Sequence, residues 1–206
     1  MKERPILFSG PMVNAILDGR KTQTRRILRK QPIDIMPMKV PDEWVTLQTR
    51  NPNRGRVVVC RYGVPGDRLW VRENLRHHPT GSPTRYAADG CPVMRDGESA
   101  DWVFNERHVP SIHMPRWASR ITLEITGVRV ARVQDISEAD ARAEGCGGYV
   151  GGEGPVPESA LAVEPGYLHP NFYREGFAYV WDSINAKRGF GWDANPFVWV
   201  LTFKKV

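Results

Sequence analysis

The chain has 206 residues, 41% hydrophobic and 10% aromatic, about the length of one domain and enough apolar side chain for a core that needs neither metal nor disulfides. Its 17 prolines and 19 glycines predict an ordered fold rich in loops, and the aromatic content argues against disorder. Lysine and arginine number 29 against 23 aspartates and glutamates, a formal net charge of +6 with 22 arginines among the cations; such a balance points to nucleic acid or a nucleotide as partner, or to an ordinary soluble protein of high pI.

In chain order, Ile6, Leu7 and Phe8 form a short apolar strand. Ser9 before Pro11 is a helix start, Met12, Ala15 and Ile16 follow at helical spacing, and Gly19 ends the helix. Residues 44–48 and 56–61 read as two strands of a hairpin, joined by the turn chemistry of residues 51–55. Gly66 and Asp67 turn the chain into a strand over 68–73, with Leu69 and Val71 on one face and Arg68, Trp70 and Arg72 on the other. Residues 74–118 look irregular, apart from a short strand at 85–88. Alternation of Ile121, Leu123 and Ile125 with polar residues makes 119–133 the longest strand. Ser137 opens a helix over 139–144 that Gly145 closes. Residues 145–170 are a Gly- and Pro-rich surface loop, Phe177, Val180, Trp181 and Ile184 lie on one helical face, and 197–203 is a final apolar strand. Trp181, Trp192 and Trp199 are expected in the core. Many short strands with turn punctuation favour a small barrel over a doubly wound sheet.

Several chemistries find no support. Cys60, Cys91 and Cys146 are widely spaced and form no C-x-x-C, so neither a disulfide framework nor a zinc ribbon is indicated. His77, His78, His108 and His113 lack zinc-ligand spacing and read as solvated loop residues; no metal or cofactor is expected. The N-terminal apolar run is too short for a signal peptide, and no segment approaches the about 18 apolar residues of a membrane span, so a cytoplasmic protein is expected.

The sharpest local feature is Gly19-Arg20-Lys21-Thr22-Gln23-Thr24-Arg25-Arg26, a polar run directly after a helix end. In a turn, Lys21 and Thr24 can face one pocket, and a lysine near a threonine hydroxyl can act as its base. The same run also reads as a solvated basic turn. Beside it stand Trp70, Arg72 and Glu73 on one strand, and Arg116, Trp117 and Arg120, which combine stacking and cationic groups. Core packing is the alternative for both tryptophans, and a surface ion pair for Arg72 and Glu73.

Gly19, Lys21 and Arg26 resemble the G-x-K-x-x-E-x-R signature of the ASCH domain, with Thr24 in the glutamate position. Gly-Arg-Lys-Thr-x-Thr is similar to the start of the small ASCH amidohydrolases that deacetylate N4-acetylcytidine. Further segments that fit are Gly66-Asp67 into residues 69–73, Asp135 to Glu138 with Ala143-Glu144-Gly145, and the closing Asn195 to Val200. The resemblance implies an α+β fold, a PUA-like mixed β-barrel of five to six strands with flanking helices and long loops, as one domain over 1–206. Insertions fall near 31–60, 74–118 and 145–176, and the pattern around residues 110–117 looks more like the longer phage and prophage members. By the same resemblance Lys21 is the base, Thr24 the nucleophile and Glu144 the proton donor of an amidohydrolase that removes an acyl group from the exocyclic nitrogen of a modified cytosine nucleoside. Arg26, Trp70, Arg72, Glu73, Arg116 and Arg120 are the expected substrate-binding residues. Glu144 reads otherwise as an exposed helix residue. The alternatives are a non-catalytic module that binds RNA or modified nucleic acid, a ribonuclease, and a phage scaffold; the expected partner is a modified nucleoside or RNA, not a membrane, and a monomer is favoured.

Overall fold

The computed structural model describes residues 1–32, 34–35, 44–48, 55–78, 82–100, 108–149, 155–156 and 171–206. At its centre lie five strands: β1 (Glu3–Leu7), β2 (Gln23–Ile27), β3 (Arg68–Arg72), β4 (Thr122–Arg132) and β5 (Phe197–Lys205), in the order β1-β3-β4-β5-β2. β1 pairs with β3 in parallel and every other neighbour is antiparallel. Three helices accompany them: α1 (Gly10–Leu17), α2 (Glu138–Ala143) and α3 (Phe172–Asn185). The α+β class is as the sequence predicts. Closure into a barrel is not seen, because no backbone ladder joins β1 to β2 among the described residues.

β5 is buried on both faces, and that divides the core. Phe197, Trp199, Leu201 and Phe203 point to one side, where Ile6, Val13, Ile16, Leu69, Leu123 and Ile125 meet them. Val198 and Val200 point to the other, against Val133, Ile136, Ala141, Phe172, Phe177 and Trp181 from α2, α3 and the link before α2. A strand sandwiched this way reads as a continuous apolar run rather than an alternation. Trp181 and Trp199 are core residues as expected, and Trp192 packs half-buried against the second cluster. α2 also caps α3: both Glu138 carboxylate oxygens accept from backbone N–H groups at the start of α3, Tyr173 at 3.0 Å and Arg174 at 3.1 Å.

Residues 74–118 are more regular than the sequence suggests. Leu75–His78, Ser82–Tyr86 and His108–Val109 form a three-stranded antiparallel sheet, and Met94–Arg95 pairs with Glu98–Ser99. Leu75, Tyr86, Val93, Val109, Met114 and Ala118 build a third core there. These partners are scattered over more than 40 positions, so no local period reveals them. The strand expected at 85–88 stops at Tyr86, where the chain turns. The expected hairpin is formed by Trp44–Gln48 against Gly55–Val59, with Asp34–Ile35 beside it; its turn, 51–54, lies outside the described residues, as does most of the loop at 145–170. His108 and His113 are exposed, and the side chains of His77 and His78 lie outside the description.

The register of β4 on β5 shifts between Ile125 and Gly127. A Cβ on Gly127 would stand 2.6 Å from Thr202 Oγ1, closer than real contacts allow, so glycine is needed for this approach. Gly127→Ala should lower stability by about 1–3 kcal/mol. Adding Thr202→Ala should recover most of the loss, measured by urea denaturation of the four members of the cycle.

Candidate active site

The turn from α1 into β2 is built by backbone rules. Asp18 caps α1, and Gly19 at φ +75° reverses the chain. Lys21 N then donates to Ala15 O and Thr22 N to Ala143 O, both at 2.9 Å, which wedges the segment between the ends of α1 and α2. Ser137 Oγ accepts from Asp140 N to start α2, and Glu144 followed by Gly145 at φ +73° ends it. A Cβ on Gly145 would lie 2.8 Å from the Cβ atoms of both Ala15 and Lys21. Glycine there lets the end of α2 close on the Lys21 stem.

That closure creates a buried charge network. Lys21 Nζ donates to Glu144 O at 2.6 Å and to Glu144 Oε2 at 3.0 Å. Arg25 Nη1 donates to Glu144 Oε1 at 3.1 Å and to Gln23 Oε1 at 2.6 Å, while its Nη2 reaches Asp140 Oδ2 at 2.8 Å. Gln23 Nε2 and Arg129 Nη2 complete the shell of Asp140, at 3.1 and 2.7 Å. Lys21 and Glu144 are each only 3% exposed, so Glu144 is no exposed helix residue and Lys21 is no part of a solvated turn. A buried ion pair offsets its desolvation only when its remaining hydrogen-bonding groups are largely satisfied; here Lys21 Nζ and both Arg25 Nη atoms are bonded, and Arg25 Nε is left without a partner.

A cleft of about 360 Å³ opens beside this network, between the end of β1, β2 and α3. Lys21, Thr24 and Glu144 all line it, with Phe8, Tyr62 and Phe177 as aromatic walls. Thr24 is 4% exposed, and its hydroxyl makes no hydrogen bond to a described residue. Arg26 spans the gap between the two free sheet edges: Nη2 donates to Leu7 O at 2.7 Å and the guanidinium lies 5.0 Å from the Phe8 ring. Burial lowers its pKa, against the raising influence of Tyr62 and Glu144. Cys146 also lines the cleft, but burial, aided by the Glu144 charge, pushes its thiol up to about 12, so it is present as the unreactive thiol.

Five of the expected binding residues lie elsewhere. Trp70, Arg72, Glu73, Arg116 and Arg120 do not line the cleft. The Trp70 ring is buried, with the Arg72 and Arg116 guanidiniums 4.6 and 5.8 Å from its centre, and Arg116 pairs with Glu3. Glu73, 1% exposed, takes Arg120 through both oxygens at 2.9 Å; Arg120 also reaches Asp89 at 2.6 Å and covers the Tyr86 ring. Burial raises the Glu73 carboxyl, and Arg120 only partly offsets this. These pairs tie β3 to the small sheet and have no ligand-facing group in the cleft. Trp117 is 39% exposed beside Arg95, not a core residue. The residues sequence reasoning missed are Arg25 and Asp140. Asp140 and Glu144 sit four apart and so share a face of α2, a spacing that announces two acids aimed at one neighbour.

No family model and no curated protein matches the chain. Among solved structures, protein EF3133 from Enterococcus faecalis V583, described as family-model DUF984, aligns with 100% of this chain and 81% of its own, at 10% identity and a TM-score of 0.42. Among the described residues no group of three His, Cys, Asp or Glu side chains is placed to hold a metal ion, and no helix is long and apolar enough to cross a membrane.

Burial opposes the Asp140 charge, but hydrogen bonds from Gln23 and Arg25 and the charges of Arg25 and Arg129 hold its carboxyl below the usual range. The unfolded chain therefore takes up this proton at a higher pH than the folded one. The resulting stabilisation is complete above the unfolded value of about 3.9 and is lost as pH falls through the folded value. Asp140→Asn should accordingly flatten the fall of stability below about pH 4, read by urea denaturation at a series of pH values; an unchanged slope would show that the network does not act on this carboxylate.

Proposed function

We propose that the cleft hydrolyses an N-acyl amide on the exocyclic nitrogen of a cytosine nucleoside, as in N4-acetylcytidine. The observation that carries this reading is the meeting of Lys21, Thr24 and Glu144 on one cleft. The local segments that resemble the ASCH amidohydrolases supply these three residues, and the PUA-like fold belongs to the same proposal. Flat aromatic walls from Phe8, Tyr62 and Phe177 suit a pyrimidine ring. The ring also delocalises charge on the departing nitrogen, which makes cytidine a better leaving group than an alkyl amine.

The Lys21–Glu144 ion pair gives the mechanism its proton. Shifting one proton from the Lys21 ammonium to the Glu144 carboxylate yields an amine and a carboxylic acid, the base and the acid that the reaction needs. Arg25 on Oε1 holds the carboxyl group in place. The Thr24 oxygen then attacks the acyl carbon and its proton passes to the Lys21 amine. As the C–N bond breaks, Glu144 protonates the leaving nitrogen, and the acyl group stays on Thr24 as an ester. Water attacks the ester carbon and gives its proton to Glu144. Lys21 returns a proton to the Thr24 oxygen, and the carboxylic acid leaves. Arg26, or a backbone N–H of the free β2 edge, stabilises the oxyanion.

A second reading, a pocket that binds a modified base without turning it over, rests on a specific observation: Lys21 Nζ is bonded to Glu144 and not to Thr24. Incubation with N4-acetylcytidine and chromatography of the products separates the two. Hydrolysis predicts cytidine release that Thr24→Ala reduces by about a hundredfold or more. Thr24→Ala is preferable to Lys21→Ala, which would remove one of the two cations that compensate the buried Glu144 carboxylate and so disturb the fold as well as the chemistry. Folded wild-type protein that binds N4-acetylcytidine and releases no cytidine would leave the binding reading.

A further inference from the structure

The cleft is far more cationic than its chemistry requires. Its described lining holds Lys21, Arg25, Arg26, Arg29, Arg61 and Arg188 against a single carboxylate, Glu144. Lys21 and Arg25 already share that carboxylate. Arg29, Arg61 and Arg188 are exposed and come from three separate places, after β2, before β3 and after α3. None of the three has a carboxylate of a described residue within salt-bridge distance; Arg61 lies over Tyr62 and Arg188 donates to the neutral Asn185 Oδ1. Deeper in, the Nε atoms of Arg25 and Arg26 are buried with no hydrogen-bond partner. Elsewhere Arg4 pairs with Asp67, Arg116 with Glu3, and Arg120 with both Glu73 and Asp89, while Arg68 and Arg72, on β3, also bury Nε atoms without a partner.

Guanidiniums gathered round one opening without a carboxylate of a described residue repel each other, and an anion seated among them removes that penalty. Arginine's planar fork fits a phosphate through two parallel N–H bonds, which a lysine rim would not provide. A phosphate monoester, with close to two negative charges, matches three cations that meet no carboxylate of a described residue better than a diester with one. The cleft volume lies within the about 300–1,000 Å³ of small-molecule sites.

We infer that the substrate is a nucleotide: the acylated cytidine carries a phosphate monoester on its ribose, held at the mouth by Arg29, Arg61 and Arg188 while the base faces Lys21, Thr24 and Glu144. This rests on the hydrolase reading for the identity of the base, and on the arginine rim alone for the phosphate. The rim then sets specificity and the buried network does the chemistry.

Titration calorimetry with the reaction products tests the inference without needing turnover. Cytidine 5′-monophosphate should bind the full chain at least about tenfold more tightly than cytidine, because charge-assisted bonds to phosphate are added. That advantage should shrink at high salt and fall by about tenfold in the double variant Arg61→Ala/Arg188→Ala, whose two changes are exposed and should leave the melting temperature within a few degrees. The ratio of kcat/KM for N4-acetylcytidine 5′-monophosphate over N4-acetylcytidine should fall in parallel. Equal binding of nucleotide and nucleoside, or no binding of either, overturns the inference, even where N4-acetylcytidine is hydrolysed. A short cytidine oligonucleotide that binds more tightly than the mononucleotide also overturns it, in favour of a polymer. Tight, salt-sensitive nucleotide binding without any turnover supports the phosphate site and removes the hydrolase reading.

Discussion

The ion pairs that Glu144 makes with Lys21 and Arg25 are the constraint on which the rest depends. Both cations are buried at the edge of the sheet, and neither would stay there uncompensated, since a buried charge stripped of its partner costs several kcal/mol. One carboxylate thus fixes the end of α2 against the start of β2. The other end of α2 is fixed in turn by Glu138, whose oxygens hold the first N–H groups of α3. A six-residue helix too short to be stable alone therefore sets the position of the longest helix, and through Phe177 and Trp181 the second core. The lining of the cleft and the packing of the fold rest on the same acid.

Among the described residues the sheet stays open between β1 and β2, and a cleft lies beside that acid. An edge strand exposes backbone groups that a protein must cover or use. Here the gap is crossed by a side chain, Arg26 reaching Leu7 O, rather than by a ladder. A full ladder would bring the strands to about 4.8 Å and leave no room for a ring between them. An arginine and a phenylalanine stand at this gap, beside a cleft lined by Lys21, Glu144 and aromatic side chains.

Much of this was legible in the sequence where the signal is local. Gly19 and Gly145 announce helix ends because both positions require a positive φ, and Ser137 announces a helix start through its own hydrogen bond. The alternation of Leu123 and Ile125 announces a strand with one buried face. The Lys21–Thr24 spacing was ambiguous by strand logic, since residues three apart face opposite sides; Lys21 escapes because it lies before β2, in the turn, while Thr24 lies within it. What sequence could not supply is distance between separate segments. Trp70, Arg72 and Arg120 have the residue types of a nucleic-acid face, yet long-range packing assigns Glu73 and Arg120 to one buried bridge and covers Trp70 with arginines. The third core escaped for the same reason, its members contributed by five short pieces with no common period.

Charge shows most clearly why pairing carries information that composition lacks. A net charge of +6 says only that cations exceed anions and fits a sticky surface as well as a binding site. Once Asp67, Glu73, Asp89, Asp140 and Glu3 are seen to neutralise particular arginines, those regions lose their claim on an anionic ligand. Arg29, Arg61 and Arg188 at the cleft meet no carboxylate of a described residue, and a guanidinium without a counter-ion keeps its full capacity for charge-assisted bonds. Local surplus, not total charge, is the physical quantity that attracts an anion, and six cations face one carboxylate in the lining of the cleft where a lysine, a threonine and a glutamate meet.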